Sequence, residues 1–252
     1  MSLVGAVVSS DGVVRSSLPD IRIPEQDLST FVWSKAADFA DRPALTCGET
    51  GRSYSYTEAR SLSRRFGASL LRRGFGHGDV LAIFLPNSIE YPLILLGALE
   101  AGLLVTMINS SDKKNEVLQQ VQTADAKVIV TISLLIPVIN EVLKYLPSSL
   151  CVIVVDADDE RSGLDATWTT WSEMVNSSEM IQQKWPEVSP EAIAILPSTS
   201  GTISERKLVA RTHKATVAGL SMNPFRGHNF FNGLHLDSFA FAYVSRDKTN
   251  RI

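Results

Sequence analysis

Residues 78–108 read GDVLAIFLPNSIEYPLILLGALEAGLLVTMI, a nearly apolar stretch. This stretch predicts a buried strand over Val80–Phe84, a helix over Ser88–Ala101 that a glycine ends, and a second buried strand over Leu103–Ile108. A membrane-spanning helix needs about 20 consecutive apolar residues. Because Glu100 interrupts the run, we expect a helix and a strand inside a folded core and no transmembrane segment.

The same alternation continues towards the C-terminus. The pattern predicts a polar-faced helix over Asp112–Thr123, a strand over Lys127–Thr131, a helix over Ile136–Lys144 and a strand over Cys151–Val155. Strands recur about every 24 residues with helices between them, which is typical of βαβ units. We therefore predict an α/β fold whose mainly parallel sheet is covered by helices on both faces.

Upstream of this region, the sequence predicts a helix with a clear start and end. Ser55 and Glu58 form a capping-box pattern, and the apolar stripe that follows ends before Gly74. The arginines of this helix are predicted to form a solvated face; they are Arg60, Arg64, Arg65, Arg72 and Arg73. Shorter elements are predicted as well, namely an amphipathic helix over Leu28–Phe39, a strand over Ser53–Tyr56 and a helix over Trp168–Met174.

The segment GFGHG, residues 74–78, invites comparison with a dinucleotide-binding glycine loop. Such a loop follows a strand and opens a helix. This segment instead ends a predicted helix and precedes a predicted strand, so we interpret it as a helix C-cap and turn.

Composition limits the function classes. The chain has 252 residues, of which 44% are hydrophobic and 20% charged, so a buried core is expected. The net charge of −3 argues against a nucleic-acid binder. Cys47 and Cys151 provide neither a disulfide framework nor a metal-ligand spacing, and the N-terminus does not read as a signal peptide. We expect a cytoplasmic protein without a metal site.

A Ser/Thr/Gly-rich segment follows the predicted strand Ala192–Leu196. Residues 197–213 read PSTSGTISERKLVARTH, and Lys207 is the sixth residue after the glycine. Backbone N–H groups of such a loop can surround phosphate oxygens, with small hydroxyls and an ammonium as further donors. A Walker A loop is excluded, because Arg206 and Leu208 occupy the positions of its second glycine and its Ser/Thr. A plain surface turn is the alternative interpretation.

The segment resembles the phosphate loop of the adenylate-forming enzymes, the superfamily of acyl- and aryl-CoA ligases, luciferases and adenylation domains. The family pattern is Ser-Ser-Gly-Thr-Thr-Gly-x-Pro-Lys-Gly-Val, followed shortly by Thr-His. The positions that fit are Thr199, Ser200, Gly201, Thr202, Lys207, Val209, Thr212 and His213. The positions that depart from it are Ile203, Ser204, Arg206 and Leu208.

These departures have physical consequences. Ser204 and Leu208 stand where the family has glycine, which tolerates positive φ and close approach of the backbone to a ligand. Arg206 removes the φ restraint of a proline, and Ile203 replaces a hydroxyl with an apolar group.

The resemblance covers about Leu28–Ser221. It includes the segments SYTE, GDVLAIFLPNS, EYP, LGALEAG and AKVIVT between residues 55 and 131. The chain looks most like the branch of 4-coumarate–CoA ligases and luciferases. The resemblance implies that the α/β fold is part of the N-terminal domain of an adenylate-forming enzyme.

By resemblance, the chemistry is that of an acid–thiol ligase. A carboxylate attacks the α-phosphate of ATP with Mg²⁺ to give acyl-adenylate and pyrophosphate, and coenzyme A then displaces AMP. The substrate implied is a fatty or aromatic carboxylic acid. The loop would hold the β- and γ-phosphates through Ser200, Gly201, Thr202 and Lys207, with Thr199 as a weaker candidate. His213 is interpreted mainly as a structural residue at a helix start.

The predicted organisation is an N-terminal segment over 1–56, an α/β subdomain over 57–221 with its phosphate loop at 198–208, and a tail over 222–252 without family resemblance. We find no match to the family's adenine and ribose segments, its Mg²⁺-binding Glu or its C-terminal domain with the catalytic Lys. We therefore expect a truncated ligase that is inactive alone, and we assign no catalytic residue. His228 and His235 in the tail lack the further ligands of a metal site.

Three hypotheses stay open at the level of sequence. The chain is a fragment of an active ligase, a non-catalytic module that binds a nucleotide or a partner, or a relic without function. Truncation would leave apolar surface uncovered, which favours self-association. The chain ends without a Ser-Lys-Leu signal, although a peroxisomal location of a full-length relative stays open.

Overall fold

The computed structural model describes residues 7–8, 10–15, 20–157, 164–176, 184–199 and 206–222. Within these residues the main sheet has seven strands in the order β11-β10-β6-β5-β7-β8-β9. These strands are β5 (Val80–Ile83), β6 (Leu104–Met107), β7 (Ala126–Thr131), β8 (Cys151–Val154), β9 (Thr169–Thr170), β10 (Ile193–Ile195) and β11 (Arg211–Thr212). Two antiparallel pairs lie outside it, β1 (Val7–Val8) with β2 (Val14–Arg15) and β3 (Pro43–Thr46) with β4 (Ser53–Ser55).

The helices alternate with the strands of the main sheet. They are α1 (Leu28–Trp33), α2 (Tyr56–Arg72), α3 (Tyr91–Glu100), α4 (Lys114–Ala124), α5 (Ile136–Leu143), α6 (Trp171–Val175) and α7 (His213–Ser221). Short 3-10 helices cover Ala36–Phe39 and Ser133–Leu135. The amphipathic helix predicted over Leu28–Phe39 is therefore two elements, α1 and the first of these 3-10 helices.

The sheet is mainly parallel, with β5 at its centre. Ile83 of β5 lies beside Met107 of β6 on one side and beside Val130 of β7 on the other. The pairs β7–β8, β8–β9 and β10–β6 are also parallel, and β11 runs antiparallel to β10 at the edge. The predicted sheet is confirmed, and the four strands predicted as its core are neighbours.

Helices pack on both faces of the sheet, as predicted. Leu81 and Ile83 belong to the core cluster that α1, α2, α3, α6 and α7 cover. Ala82 and Phe84 point to the opposite face, where α4 and α5 pack. Since successive residues of a strand face opposite sides, a strand covered on both faces is apolar throughout. No helix in the described part of the chain is both long and apolar enough to cross a membrane.

The start and end of α2 follow the predicted signals. The Oγ of Ser55 accepts a hydrogen bond from the N–H of Glu58 at 3.3 Å, and the Glu58 carboxylate accepts one from the N–H of Ser55 at 2.8 Å. Gly74 has φ +87° after the last turn, a conformation that favours glycine. The segment GFGHG is therefore a C-cap and turn, and this interpretation is confirmed.

The short helix predicted over Trp168–Met174 begins later than predicted. Thr169 and Thr170 form strand β9 beside β8. Thr170 caps α6 through a reciprocal capping box with Glu173, so the helix begins at Trp171. A Thr three residues before a Glu is the signal that sequence reasoning overlooked here.

The predicted solvated arginine face of α2 is wrong for two of its five arginines, Arg60 and Arg64, which contact Glu100 of α3. The guanidinium of Arg60 holds the Glu100 carboxylate with two hydrogen bonds, the longer of them 2.9 Å, and the Nε of Arg64 lies 3.3 Å from the same carboxylate. The two guanidinium groups lie over the rings of Trp33 and Trp185. Glu100, which interrupts the apolar run, thus joins α3 to α2 through its contacts with these two arginines.

Candidate phosphate-binding loop

The loop region begins where β10 ends, at the carboxyl edge of the parallel sheet. The N–H of Leu196 donates to the carbonyl of Val105 on β6 at 2.8 Å. The chain then forms a hairpin with a first arm, residues 197–199, and a second arm, residues 206–209. The N–H of Thr199 donates to the carbonyl of Lys207, and the N–H of Val209 donates to that of Pro197, both at 2.9 Å. Ligands of open α/β sheets bind at this edge.

Two of the predicted phosphate-binding residues lie opposite each other on the two arms. Thr199 is exposed, and its Oγ1 accepts a hydrogen bond from the N–H of Lys207 at 3.2 Å. Lys207 is exposed as well, and no carboxylate of the described residues pairs with its ammonium group. Ser200, Gly201 and Thr202 lie outside the described residues. The second arm therefore carries an exposed lysine that forms no ion pair with a carboxylate of the described residues.

A buried chain of hydrogen bonds supports the base of the hairpin. The hydroxyl of Thr106 donates to the carbonyl of Leu196 at 2.8 Å. The amide nitrogen of Gln120 on α4 donates to the Thr106 Oγ1 at 2.8 Å and to the carbonyl of Met107 at 2.9 Å. Because buried polar groups cost free energy unless they are bonded, this chain fixes α4, β6 and the first arm relative to one another.

The N-terminus of α7 follows the hairpin but offers no anion site. Its first three N–H groups donate to the carbonyl of Ala192, the carbonyl of Pro190 and the Oγ1 of Thr212. A helix N-terminus binds anions through N–H groups that lack such partners. Phosphate binding in this region would therefore depend on the hairpin itself.

His213, the first residue of α7, is 1% exposed and acts as a hydrogen-bond acceptor. Its Nδ1 accepts from the N–H of Leu28, the first residue of α1, at 3.0 Å. Burial lowers the pKa of His213 below its ordinary value, while the charge of Asp27 opposes this shift. The structural interpretation of His213 is confirmed, and its partner in α1 is 185 residues away along the chain.

Arg206, which replaces the family's proline, forms an ion pair with Asp112. Both guanidinium Nη atoms donate to the carboxylate, and the longer contact is 3.0 Å. The hydrogen bond with Asp112 raises the pKa of Arg206 above its ordinary value. Nothing in the sequence pattern indicated this pair, because its members lie 94 residues apart.

The described residues contain no group of three His, Cys, Asp or Glu side chains that could hold a metal ion. Charged side chains at the described arms of the loop include Lys207, Arg206 and its partner Asp112, and the charge of Glu116 also acts on Arg206. This arrangement can position an anion by charge and by hydrogen bonds.

The model of the family described as AMP-binding enzyme matches residues 32–243. The chain belongs to this family. Its relatives include 4-coumarate–CoA ligases from Pinus taeda, 29% identical over 220 residues, and from Vanilla planifolia, 33% identical over 217 residues. These matches cover 87% and 84% of this chain but only 39% and 38% of the relatives. The chain thus spans less than half the length of the curated relatives that it matches.

Solved structures of adenylate-forming enzymes share the fold. A long-chain-fatty-acid–CoA ligase from Archaeoglobus fulgidus superposes with a TM-score of 0.73 at 21% identity, over 86% of this chain and 42% of that protein. A red-emitting luciferase from Phrixothrix hirtus gives a TM-score of 0.69 at 21% identity, over 81% and 39%. At this identity the likeness shows the fold alone. The resemblance to the N-terminal part of the adenylate-forming enzymes is confirmed.

Proposed function

We propose that the hairpin loop, residues 198–208, binds the phosphates of ATP in an acid–CoA ligase, and that this chain forms the N-terminal part of such an enzyme. The observation that carries the proposal is the position of Lys207. Lys207 is an exposed residue of the second arm at the carboxyl edge of the sheet, its backbone N–H donates to Thr199, and no carboxylate of the described residues pairs with its side chain. Such a charge supports phosphate binding by neutralisation and positioning.

The proposed reaction follows from membership of the family and from the names of the relatives. A fatty or aromatic carboxylic acid, ATP with Mg²⁺, and coenzyme A would be the substrates and cofactors. The phosphate-binding residues proposed are Thr199, Ser200, Gly201, Thr202 and Lys207. The α/β subdomain would comprise residues 57–221, with 1–56 before it and the tail 222–252 after it.

We propose further that this chain alone binds nucleotide weakly. Three loop positions, Ile203, Ser204 and Leu208, lack the hydroxyl or the glycines of the family pattern. The dissociation constant for ATP–Mg²⁺ is expected to be no tighter than about 1 mM, which corresponds to about −4 kcal/mol. These departures equally favour the second candidate function, a non-catalytic module that binds a nucleotide or a partner.

The test is a titration of the full chain with ATP–Mg²⁺. Calorimetry measures the dissociation constant, and NMR chemical shifts show which backbone amides respond. The amides of Thr199 and Lys207 are expected to shift, and Lys207→Ala is expected to remove the shifts. Lys214→Ala is the matched control, because Lys214 is an exposed lysine of the next helix that pairs with Glu191 at 2.7 Å. Unchanged shifts in Lys207→Ala would overturn the loop assignment, and micromolar binding that depends on Lys207 would overturn the proposal of weak binding.

A further inference from the structure

The ion pair between Arg206 and Asp112 connects the second arm of the hairpin to a different part of the fold. The contact is bidentate, with Nη2 of Arg206 3.0 Å from Oδ1 of Asp112. The side chain of Asp112 is only 7% exposed and that of Arg206 is 30% exposed. A planar guanidinium that holds both carboxylate oxygens fixes direction as well as distance.

Asp112 lies in a hydrogen-bonded turn between two elements that are themselves joined. It lies between β6 and α4, and its N–H donates to the carbonyl of Asn109 at 2.9 Å. The same two elements are joined by the buried Gln120–Thr106 hydrogen bond of 2.8 Å. The second arm is therefore tied to the same two elements that support the first arm through Leu196.

The residue next to Arg206 is Lys207, and its backbone is already bonded to Thr199. A proline at position 206 would restrict φ and so fix the chain before the lysine. Arginine does not restrict the backbone φ angle in this way. Its side chain instead restrains the position of the second arm through the ion pair with Asp112. Both Nη atoms of the Arg206 guanidinium donate hydrogen bonds to the Asp112 carboxylate.

We propose that Arg206 is a positioning residue, which holds the arm carrying Lys207 in place through Asp112 and is not itself a phosphate ligand. The proposal deepens the proposed function and rests on it where phosphate binding is concerned. In the alternative hypothesis, Arg206 is a second phosphate-binding cation, and Asp112 only neutralises it until a phosphate binds.

The two views predict opposite signs for one substitution. Asp112→Asn removes a negative charge near the loop and breaks the bidentate ion pair, leaving at most one neutral hydrogen bond to the guanidinium. If Arg206 were a phosphate ligand, this change would strengthen anion binding, because a repelling charge is lost and a cation is released. If Arg206 positions Lys207, the same change weakens anion binding, because the arm loses its tether.

The first experiment measures the tether without any ligand. Hydrogen exchange by NMR is compared for the amides of Thr199, Lys207 and Val209 in the full chain, in Arg206→Gln, in Asp112→Asn and in the double variant. Each single variant is expected to exchange at least about threefold faster at these amides, and the double variant no faster than the singles, as for a coupled pair. Glu191→Gln is the matched control, because it removes the exposed pair with Lys214 and should leave the three amides unchanged. Unchanged protection in Asp112→Asn would overturn the tether.

The second experiment measures the effect on a phosphate ligand. Inorganic tripolyphosphate is titrated into the same variants, and amide shifts report the dissociation constant. Arg206→Gln and Asp112→Asn are each expected to weaken binding at least about threefold, and Arg206→Lys is expected to restore part of the loss. Tighter binding by Asp112→Asn would overturn the positioning role. If the unmodified chain binds no tripolyphosphate, the proposed function fails, while the exchange experiment still decides the tether.

Discussion

At the scale of single residues, His213 joins the start of α7 to the start of α1. Its Nδ1 accepts from the first N–H of α1, so a residue of the Thr-His pair acts as a cap for a distant helix. The bond requires a ring whose Nδ1 carries no proton. Burial of the ring disfavours its charged form and lowers its pKa.

This cap predicts a pH dependence of the free energy of unfolding. The folded pKa of His213 lies below the unfolded value of about 6.5, so the unfolded chain binds the proton first as the pH falls. The contribution of His213 is fully present above about pH 6.5 and is lost as the pH falls towards the lowered folded pKa. Denaturant midpoints of the protein between pH 7.5 and 5 should therefore fall more steeply than those of His213→Asn.

The variant His213→Asn is informative because its side-chain oxygen keeps an acceptor that does not titrate. His213→Ala removes the acceptor and is expected to cost about 1–3 kcal/mol at pH 7.5, since it leaves the Leu28 N–H buried without a partner. His77→Asn is the control, because His77 is exposed. Equal pH slopes for the protein and His213→Asn would show that the ring does not titrate in this window.

Single residues also show how far the sequence determines the candidate site. Thr199 and Lys207 could be named because their spacing matches a loop pattern and the hairpin brings them together. Asp112 and Leu28 could not, because a short pattern carries no information about a partner 94 or 185 residues away. Ser200, Gly201 and Thr202 lie outside the described residues, and their roles stay predictions.

At the scale of elements, α2 and α3 pack closely against each other through two glycines. A Cβ added at Gly97 would lie 2.3 Å from the carbonyl oxygen of Ser63, and a Cβ at Gly67 would lie 2.4 Å from the carbonyl oxygen of Gly97. Only glycine lets the two backbones approach so closely. The Arg60 and Arg64 contacts with Glu100 then join the same helices at their edge.

This packing predicts a large effect of a small substitution. Gly97→Ala would force the two helix backbones apart, and overpacking of this kind costs about 1–3 kcal/mol or more. Gly48→Ala is the matched control, because no atom lies within 4 Å of a Cβ added there, and it is expected to change stability by less than about 0.5 kcal/mol. Urea denaturation at pH 7.5 measures both. A loss from Gly97→Ala no larger than that of the control would contradict the contact.

The elements also show which local signals were sufficient. Capping patterns and apolar runs predicted α2 and the four central strands to within a residue or so. The arginine face of α2 was misjudged because periodicity identifies a polar face but not what covers it. Here Trp33 and Trp185 lie against Arg60 and Arg64.

At the scale of the whole molecule, strand order decides where the loop emerges. β10 pairs with β6, so the hairpin leaves the sheet at the same edge as the segment that carries Asp112. The parallel sheet could be predicted from alternation, whereas the order of strands depends on contacts that no local pattern records. The family match and the shared fold account for the arrangement, yet the chain covers only 39% of its Pinus taeda relative.

This coverage leads to the last prediction, that the chain alone does not make acyl-adenylate. Adenylate formation needs the phosphates, the metal and the carboxylate held together, and the gain from positioning is lost when part of the set is absent. ATP–pyrophosphate exchange with a panel of fatty and aromatic acids should therefore stay at the level of a Lys207→Ala control. Exchange that exceeds this control and depends on the added acid would establish the chain as an enzyme by itself, and the second candidate function would then be wrong.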